Sequence, residues 1–425
     1  MGWRGIKFYW RSFLIALAFL YVLTLPLWLR PYLAPRMLEM EYERVQRPKA
    51  LVVKKVAPSG EVQSNVDGLP TTFAHKMKYK GRTLFVEDIL VAPGQPNLRE
   101  RLTVVQNSTK KFIFSASSFQ QPNLGGCPEW NCEVNTNQDI AHAYINSQPV
   151  YRDNFHGYVL MSSQESPINY GGMLEEKQYF NMTIGFRHDS PVASPYGYTV
   201  KLAPQSWTPV KKMVNSNLIR EKTKTAAWFV SHCSTNSGRE VLVKKLQEYV
   251  NVDVYGACSK QQCTKGEKKC EDMLNTDYYF YLALENSICR DYITEKFWSQ
   301  GYQHTIVPIV LKRSIVEPYA PPNSFIAFDD YSTVEEMSRH LIMLMKNMDE
   351  YMKYFAWKEK YEVIYLDGLE HDELERPVGI CQLCRLLQMP VLPVYTIPDI
   401  RESWSKSCEA DGELANRLLG SRKST

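Results

Sequence analysis

Apolar and polar positions in the second half of the chain fall into a repeated order: apolar run, polar turn, helical spacing, apolar run. The longest example spans Tyr278 to Leu311. Tyr279–Phe280–Tyr281–Leu282–Ala283–Leu284 is a short aromatic and aliphatic run of the kind that makes a buried strand. The polar cluster Glu285, Asn286, Ser287 ends it. Asp291 is placed to cap a helix over Tyr292–Trp298, and Ile306–Leu311 predicts the next strand. The same order occurs earlier. Thr225–Val230 is apolar, Ser231–His232–Cys233 opens a polar turn, and Val241, Leu242, Leu246 and Tyr249 recur at helical spacing. Val250–Tyr255 then reads as a strand. Strand, turn, helix, strand predicts a Rossmann-like half.

This order places chemistry. In open α/β sheets ligands bind at the carboxyl ends of strands, beside helix N-termini. Glu285, Asn286, Tyr292, Glu295 and Lys296 are therefore expected where a nucleotide would sit. On a helix, Glu295 and Lys296 would point about 100° apart, one toward a ribose and the other toward a phosphate. Arg239 falls in the first turn of its helix and could add a guanidinium for a diphosphate. The plainer alternative is a βαβ core with a solvated helix face, in which Arg239 is a surface arginine.

The first half is less regular. Leu84–Val91 and Lys111–Phe119 read as strands and Gly125–Pro128 as a turn. Tyr158–Met161 is an apolar strand leading into Ser162–Pro167, which puts Glu165 at its carboxyl end; most glutamates are simply surface carboxylates. Residues 204 to about 224 form a polar linker. Helices are expected over Val334–Met348 and Met352–Tyr361, with Leu341, Met345 and Met348 as core. Asp329–Asp330 lacks the spacing of a metal motif and precedes a helix start at Ser332–Glu335.

Ser12–Leu29 is uncharged and apolar, near the lower length for a membrane span, with Arg4, Lys7 and Arg11 before it. The reading is an uncleaved type II anchor with the rest of the chain lumenal; a cleaved signal peptide is the rival. The domains expected are a cytoplasmic tail (1–11), the anchor (12–29), a stem (30–72), a first domain (73–205), a second (206–375) and a tail (376–425). A 44% apolar content suffices for two cores, and a net charge of +4 is too weak to argue for nucleic acid. A lumenal setting makes disulfides the expected state of Cys127, Cys132, Cys233, Cys258, Cys263, Cys270, Cys289, Cys381, Cys384 and Cys408. Cys381-Gln-Leu-Cys384 has no partner pattern for zinc. Asn107 and Asn181 stand in glycosylation tripeptides.

Glu285-Asn286-Ser287, Asp291–Lys296 and Val307–Leu311 together resemble the donor-binding signature of the α1,3-fucosyltransferase family, which uses GDP-fucose. The resemblance covers roughly residues 110 to 385 and is strongest over 225 to 311. Glu165-Ser-Pro, the block Phe180–Ser190 and Pro195-Tyr196-Gly197 also resemble family motifs. The cysteine-rich loop Gly256–Cys270 is similar to that of invertebrate and plant members.

The resemblance implies a GT-B arrangement, two Rossmann-like domains facing across a cleft. It implies transfer of L-fucose from GDP-β-L-fucose, with inversion, in α1,3 linkage to GlcNAc of glycoprotein glycans in the Golgi membrane. Glu165 would be the catalytic base. Arg239, Lys296, Glu295, Tyr292, Asn286, Tyr281, Tyr196, Ser231, His232 and, more weakly, Gln120 would bind the donor. No metal is required, although added Mn²⁺ could stimulate. The family's terminal cysteine pair ties back to the first domain, making Cys127 and Cys132 candidate partners of Cys381 and Cys384; a local Cys381–Cys384 bridge stays open. Cys233, Cys258, Cys263, Cys270 and Cys289 are expected to bridge locally, the odd one being unpaired or paired elsewhere. Departures exist: His232 stands for a usual Asn, Leu284 for a Phe, Gln303-His304-Thr305 for a smaller segment, and the paired histidines after the first cysteines are missing. The alternative is therefore a catalytically inactive GDP-fucose- or glycan-binding protein.

Overall fold

The computed structural model describes residues 74–103, 109–115, 126–146, 155–170, 179–263, 267–368 and 372–420. The expected anchor and stem, Asn107 and Gln120 lie outside them. No described helix is long and apolar enough to cross a membrane.

The described residues open with a hairpin, β1 (His75–Tyr79) and β2 (Arg82–Ile89). A six-stranded sheet follows: β3 (Lys111–Ser115), β4 (Gly126–Cys127), β5 (Cys132–Asn135), β6 (Ala143–Asn146), β7 (Tyr158–Ser163) and β8 (Met182–Gly185), in the order β4-β5-β3-β6-β7-β8. All pairs are parallel except the short β4–β5 hairpin. Strand β9 (Gly197–Leu202) returns to β2 and pairs antiparallel with it.

The second parallel sheet contains β10 (Lys224–Phe229), β11 (Val252–Tyr255), β12 (Tyr278–Leu282), β13 (Val307–Val310) and β14 (Ile326–Ala327), in the order β11-β10-β12-β13-β14. Every residue of β12 and β13 is buried, as expected of strands covered on both faces. One face carries α1 (Arg239–Leu246) and α2 (Val334–Lys346), which contribute Leu242, Val243, Leu246, Met337, Leu341 and Leu344 to a common core with Phe280 and Leu282. Phe297, Trp298 and Tyr302 cover the other face, against Tyr278 and Tyr281. At the amino ends, buried Lys222 donates to the carbonyls of Leu274, Tyr278 and Thr305. Strand β15 (Tyr361–Tyr365) then pairs with β9 and completes a four-stranded antiparallel sheet, β1-β2-β9-β15. The run expected at Leu84–Val91 thus belongs to this third sheet and not to the parallel sheet that follows it.

Helix α3 (Gly379–Leu387) packs Ile380, Leu383, Leu386 and Leu387 under the six-stranded sheet. Cys381 and Cys384 are three apart and share one helix face. They meet Cys127 and Cys132, which oppose each other in the β4–β5 hairpin, as Cys127–Cys381 and Cys132–Cys384. The local Cys381–Cys384 bridge is therefore not formed. Cys233–Cys258 and Cys263–Cys270 are local. Cys289 is not: it pairs with Cys408, so the odd count among the central cysteines resolves in the tail. Beyond that bridge, α4 (Glu413–Leu418) buries Leu414 and Leu418 against the core of the second parallel sheet.

Candidate active site

The loops that follow β10, β12 and β13 gather at the carboxyl ends of the second parallel sheet. Glu285, Ser287, Ile288, Tyr292, Lys312 and Ile315 line a narrow cleft there. A helix over Tyr292–Trp298 is not observed. Residues 292–294 are non-helical, and a π-helical turn covers Lys296–Gly301. Asp291 does not cap it. That residue takes a left-handed φ of 62°, and its carboxylate accepts the His188 N–H at 3.0 Å and the Tyr319 hydroxyl at 2.8 Å. The first bond holds the loop after β12 against the segment after β8, and the second ties it to the segment after β13.

The turn is shaped by Glu285, which is buried. A buried carboxylate needs donors. Its oxygens take the Thr294 N–H at 2.8 Å, the Thr294 hydroxyl at 2.8 Å and the Lys296 ammonium at 3.1 Å. Lys296 also reaches Glu295 at 3.4 Å and the Thr294 hydroxyl at 2.9 Å. Glu295 and Lys296 therefore converge, contrary to the division of labour expected from an α-helix. Burial opposes the Lys296 charge, but Glu285 and Glu295 outweigh it and raise its pKa.

Across from this cluster lies the loop that follows β7. Glu165 is exposed, and the Tyr292 hydroxyl donates to its Oε2 at 3.1 Å. The Tyr196 hydroxyl donates to the Gln164 carbonyl at 2.9 Å, and Ser287 donates to Ser166 at 2.6 Å. Burial first, then nearby carboxylates, raise the phenol pKa values of Tyr196, Tyr281 and Tyr292. All three remain O–H donors. Tyr281 is 1% exposed and sits beneath the cleft rather than in its wall.

Arg239 is 2% exposed, not solvated. Its guanidinium donates to the Leu284 carbonyl at 2.6 Å and the His232 carbonyl at 3.1 Å, pairs with Glu240 at 3.3 Å, and lies over the Trp228 ring. It joins the loops after β10 and β12. Ser231 and His232 are exposed on the first of these loops, which Cys233–Cys258 ties to the loop after β11. Asn286 accepts the Ser237 N–H through its carbonyl, and its side-chain oxygen lies 3.0 Å from the Ser287 Oγ.

Asn181 uses its amide nitrogen to donate to the Tyr395 carbonyl, and its oxygen to accept the Val159 N–H. A glycan on that nitrogen would replace one of its two hydrogens. Asp329 and Asp330 are taken up by Arg313. Among the described residues no cluster of three or more His, Cys, Asp or Glu is placed to hold a metal ion. Sequence reasoning missed Thr294 and Gln164. Both lie inside quoted stretches, but only the chain's path shows them acting on Glu285 and on the Glu165 loop.

An α/β chain with charged side chains collected at the carboxyl ends of parallel strands is of the class that binds an anionic ligand there. The sequence family "Glycosyltransferase family 10 (fucosyltransferase) C-term" matches residues 219–404. The chain is 47% identical over 342 residues to alpha-(1,3)-fucosyltransferase fut-1 of Caenorhabditis elegans, covering 78% of each. It is 33% identical over 321 residues to alpha-(1,3)-fucosyltransferase C of Drosophila melanogaster, covering 68% of this chain and 72% of that one. A crystal structure of an alpha1,3-fucosyltransferase aligns with a TM-score of 0.44 at 13% identity, over 68% of this chain and 94% of that one, a likeness too loose to bear weight. The chain belongs to the α-(1,3)-fucosyltransferase family.

Proposed function

We propose that the protein transfers L-fucose from GDP-β-L-fucose, with inversion, in α1,3 linkage to GlcNAc of glycoprotein glycans. The observation that carries this reading is the placement of Glu165 opposite the Glu285–Lys296–Glu295 cluster, with Tyr292 joining the two. Transfer to a sugar hydroxyl needs a base on one side of the anomeric carbon and stabilisation of the departing diphosphate on the other. Glu165 serves as the base. Lys296, held between Glu285 and Glu295, offers the positive charge, and Arg239 braces the loops beside it. Glu295 is at hand for the ribose or the fucose. We read the two parallel sheets as the two halves of a GT-B arrangement. The same reading makes the chain a Golgi type II membrane protein, with residues 12–29 as its anchor and the catalytic part lumenal.

The test is incubation of the protein with GDP-fucose and a panel of N-glycan acceptors, beside Glu165→Gln. Transfer by the parent, lost in the variant while GDP binding persists, is the expected result. Transfer retained by Glu165→Gln refutes the base, and failure to bind GDP-fucose refutes the donor.

A further inference from the structure

We propose that Tyr292 is a positioning residue for Glu165, its phenol fixing the carboxylate that takes the acceptor's proton; this rests on the reading of Glu165 as the base. Glu165 sits on an exposed turn, where a glutamate side chain has several rotamers open to it. Beside the Ser287–Ser166 contact, bonds from outside the turn restrict it. The Tyr196 hydroxyl holds the Gln164 carbonyl, the Gln164 amide donates to the Ser194 carbonyl at 3.0 Å, and Tyr292 holds Oε2 of Glu165 itself. Only the last reaches the carboxylate.

Tyr292 is suited to that task. Its ring is 4% exposed and packs edge-to-face on Phe186 at 4.9 Å, so the hydroxyl is delivered from a fixed position. Phe186 lies just beyond β8, next to β7 in the sheet, so ring and carboxylate are set by one scaffold. The backbone of Tyr292 belongs to the loop after β12, which also carries Glu285. The base on one sheet is thereby aligned to the charged cluster on the other, as transfer from one ligand to the other requires. A phenol accomplishes this without bringing a positive charge beside the base. Tyr196 supports the same turn one residue earlier.

The alternative role for Tyr292 is a donor contact, and the two predict different kinetics. Tyr292→Phe keeps the ring and its packing on Phe186. With positioning, kcat falls about tenfold to a hundredfold, the scale of one hydrogen bond to a charged group. KM for GDP-fucose and the affinity for GDP stay within about twofold. In the Glu165→Gln background the same substitution has no further effect, because residues acting as a unit are not additive. Tyr196→Phe, which loosens the turn without touching the carboxylate, lowers kcat by less. A raised KM for GDP-fucose with kcat unchanged would overturn the proposal and leave the base intact. So would additive losses in the double variant. Full activity of Glu165→Gln would remove the proposed base, and the positioning with it.

Discussion

His188 provides a stability test that needs no substrate. Its ring stacks on Tyr319 at 3.8 Å between centroids, and the residue is 6% exposed. Burial pushes the imidazole from 6.5 to about 4; Asp291 opposes this and Arg101 adds to it. The folded pKa is below the unfolded one, so the unfolded chain binds a proton that the folded chain refuses. The stability from this group is fully present above 6.5 and is lost as pH falls toward 4. At 1.36 kcal/mol per unit, the whole window amounts to about 3 kcal/mol, and the loss at pH 5 to about 2 kcal/mol. His188→Phe keeps a ring on Tyr319 and leaves the backbone N–H to Asp291, but cannot titrate. Denaturant unfolding of both proteins at about pH 7.5 and about pH 5 isolates the term, since the remaining histidines titrate in both and cancel. The parent should lose about 2 kcal/mol more than the variant on acidification. Equal losses would refute the claim that the folded state holds this imidazole neutral.

The paired bridges Cys127–Cys381 and Cys132–Cys384 close loops of 254 and 252 residues in parallel, so each leaves the other a short loop. In the chain-entropy account, removing either by Ser substitution costs about 3 kcal/mol and removing both about 8; thermal unfolding of the single and double knockouts should show that imbalance. Gly185→Ala places a Cβ 2.0 Å from the Ser163 carbonyl, within the β7–β8 pair that carries the Glu165 turn. It should cost about 3 kcal/mol and abolish transfer; normal stability with normal transfer would mean that the strands spread without consequence. Arg239→Lys keeps a positive charge but cannot span the Leu284 and His232 carbonyls with one planar fork. It should weaken GDP binding at least tenfold by calorimetry, and parent-like affinity would mean that charge alone suffices.

The parallel strands were legible because burial on both faces leaves an unbroken apolar run, as in β12 and β13. The antiparallel sheet was not, because β9 meets β15 across most of the second half of the chain, and neither strand advertises its partner. Cys289–Cys408 was hidden for the same reason: its partners are 119 residues apart with no local pattern. At the site, sequence brought Glu285, Asn286, Tyr292, Glu295 and Lys296 to one place but misjudged their directions. Helical geometry was assumed for residues 292–298, whereas the demand of buried Glu285 for the N–H and hydroxyl of Thr294 shapes the loop there. An arginine in a helix's first turn is consistent with a ligand contact or a solvated side chain; its use as a strut depends on the Leu284 and His232 carbonyls, which the local pattern does not show.

The distribution of donors around the carboxylates bears on how an anion can enter the cleft. Glu285 is satisfied largely by the neutral N–H and hydroxyl of Thr294, and Glu165 receives the neutral phenol of Tyr292. Neither depends on a cation alone. Lys296 is held at 3.1 Å by Glu285 but at only 3.4 Å by Glu295, the more exposed of the two. A diphosphate that draws the ammonium outward therefore competes first with the weaker contact. Glu285 keeps its Thr294 bonds throughout and is not left as an unpaired buried charge, the outcome that makes breaking a buried ion pair so costly. Thr294 thereby lowers the barrier to exchanging an internal salt bridge for a ligand, and that exchange is what a cation enclosed by two glutamates must be able to make.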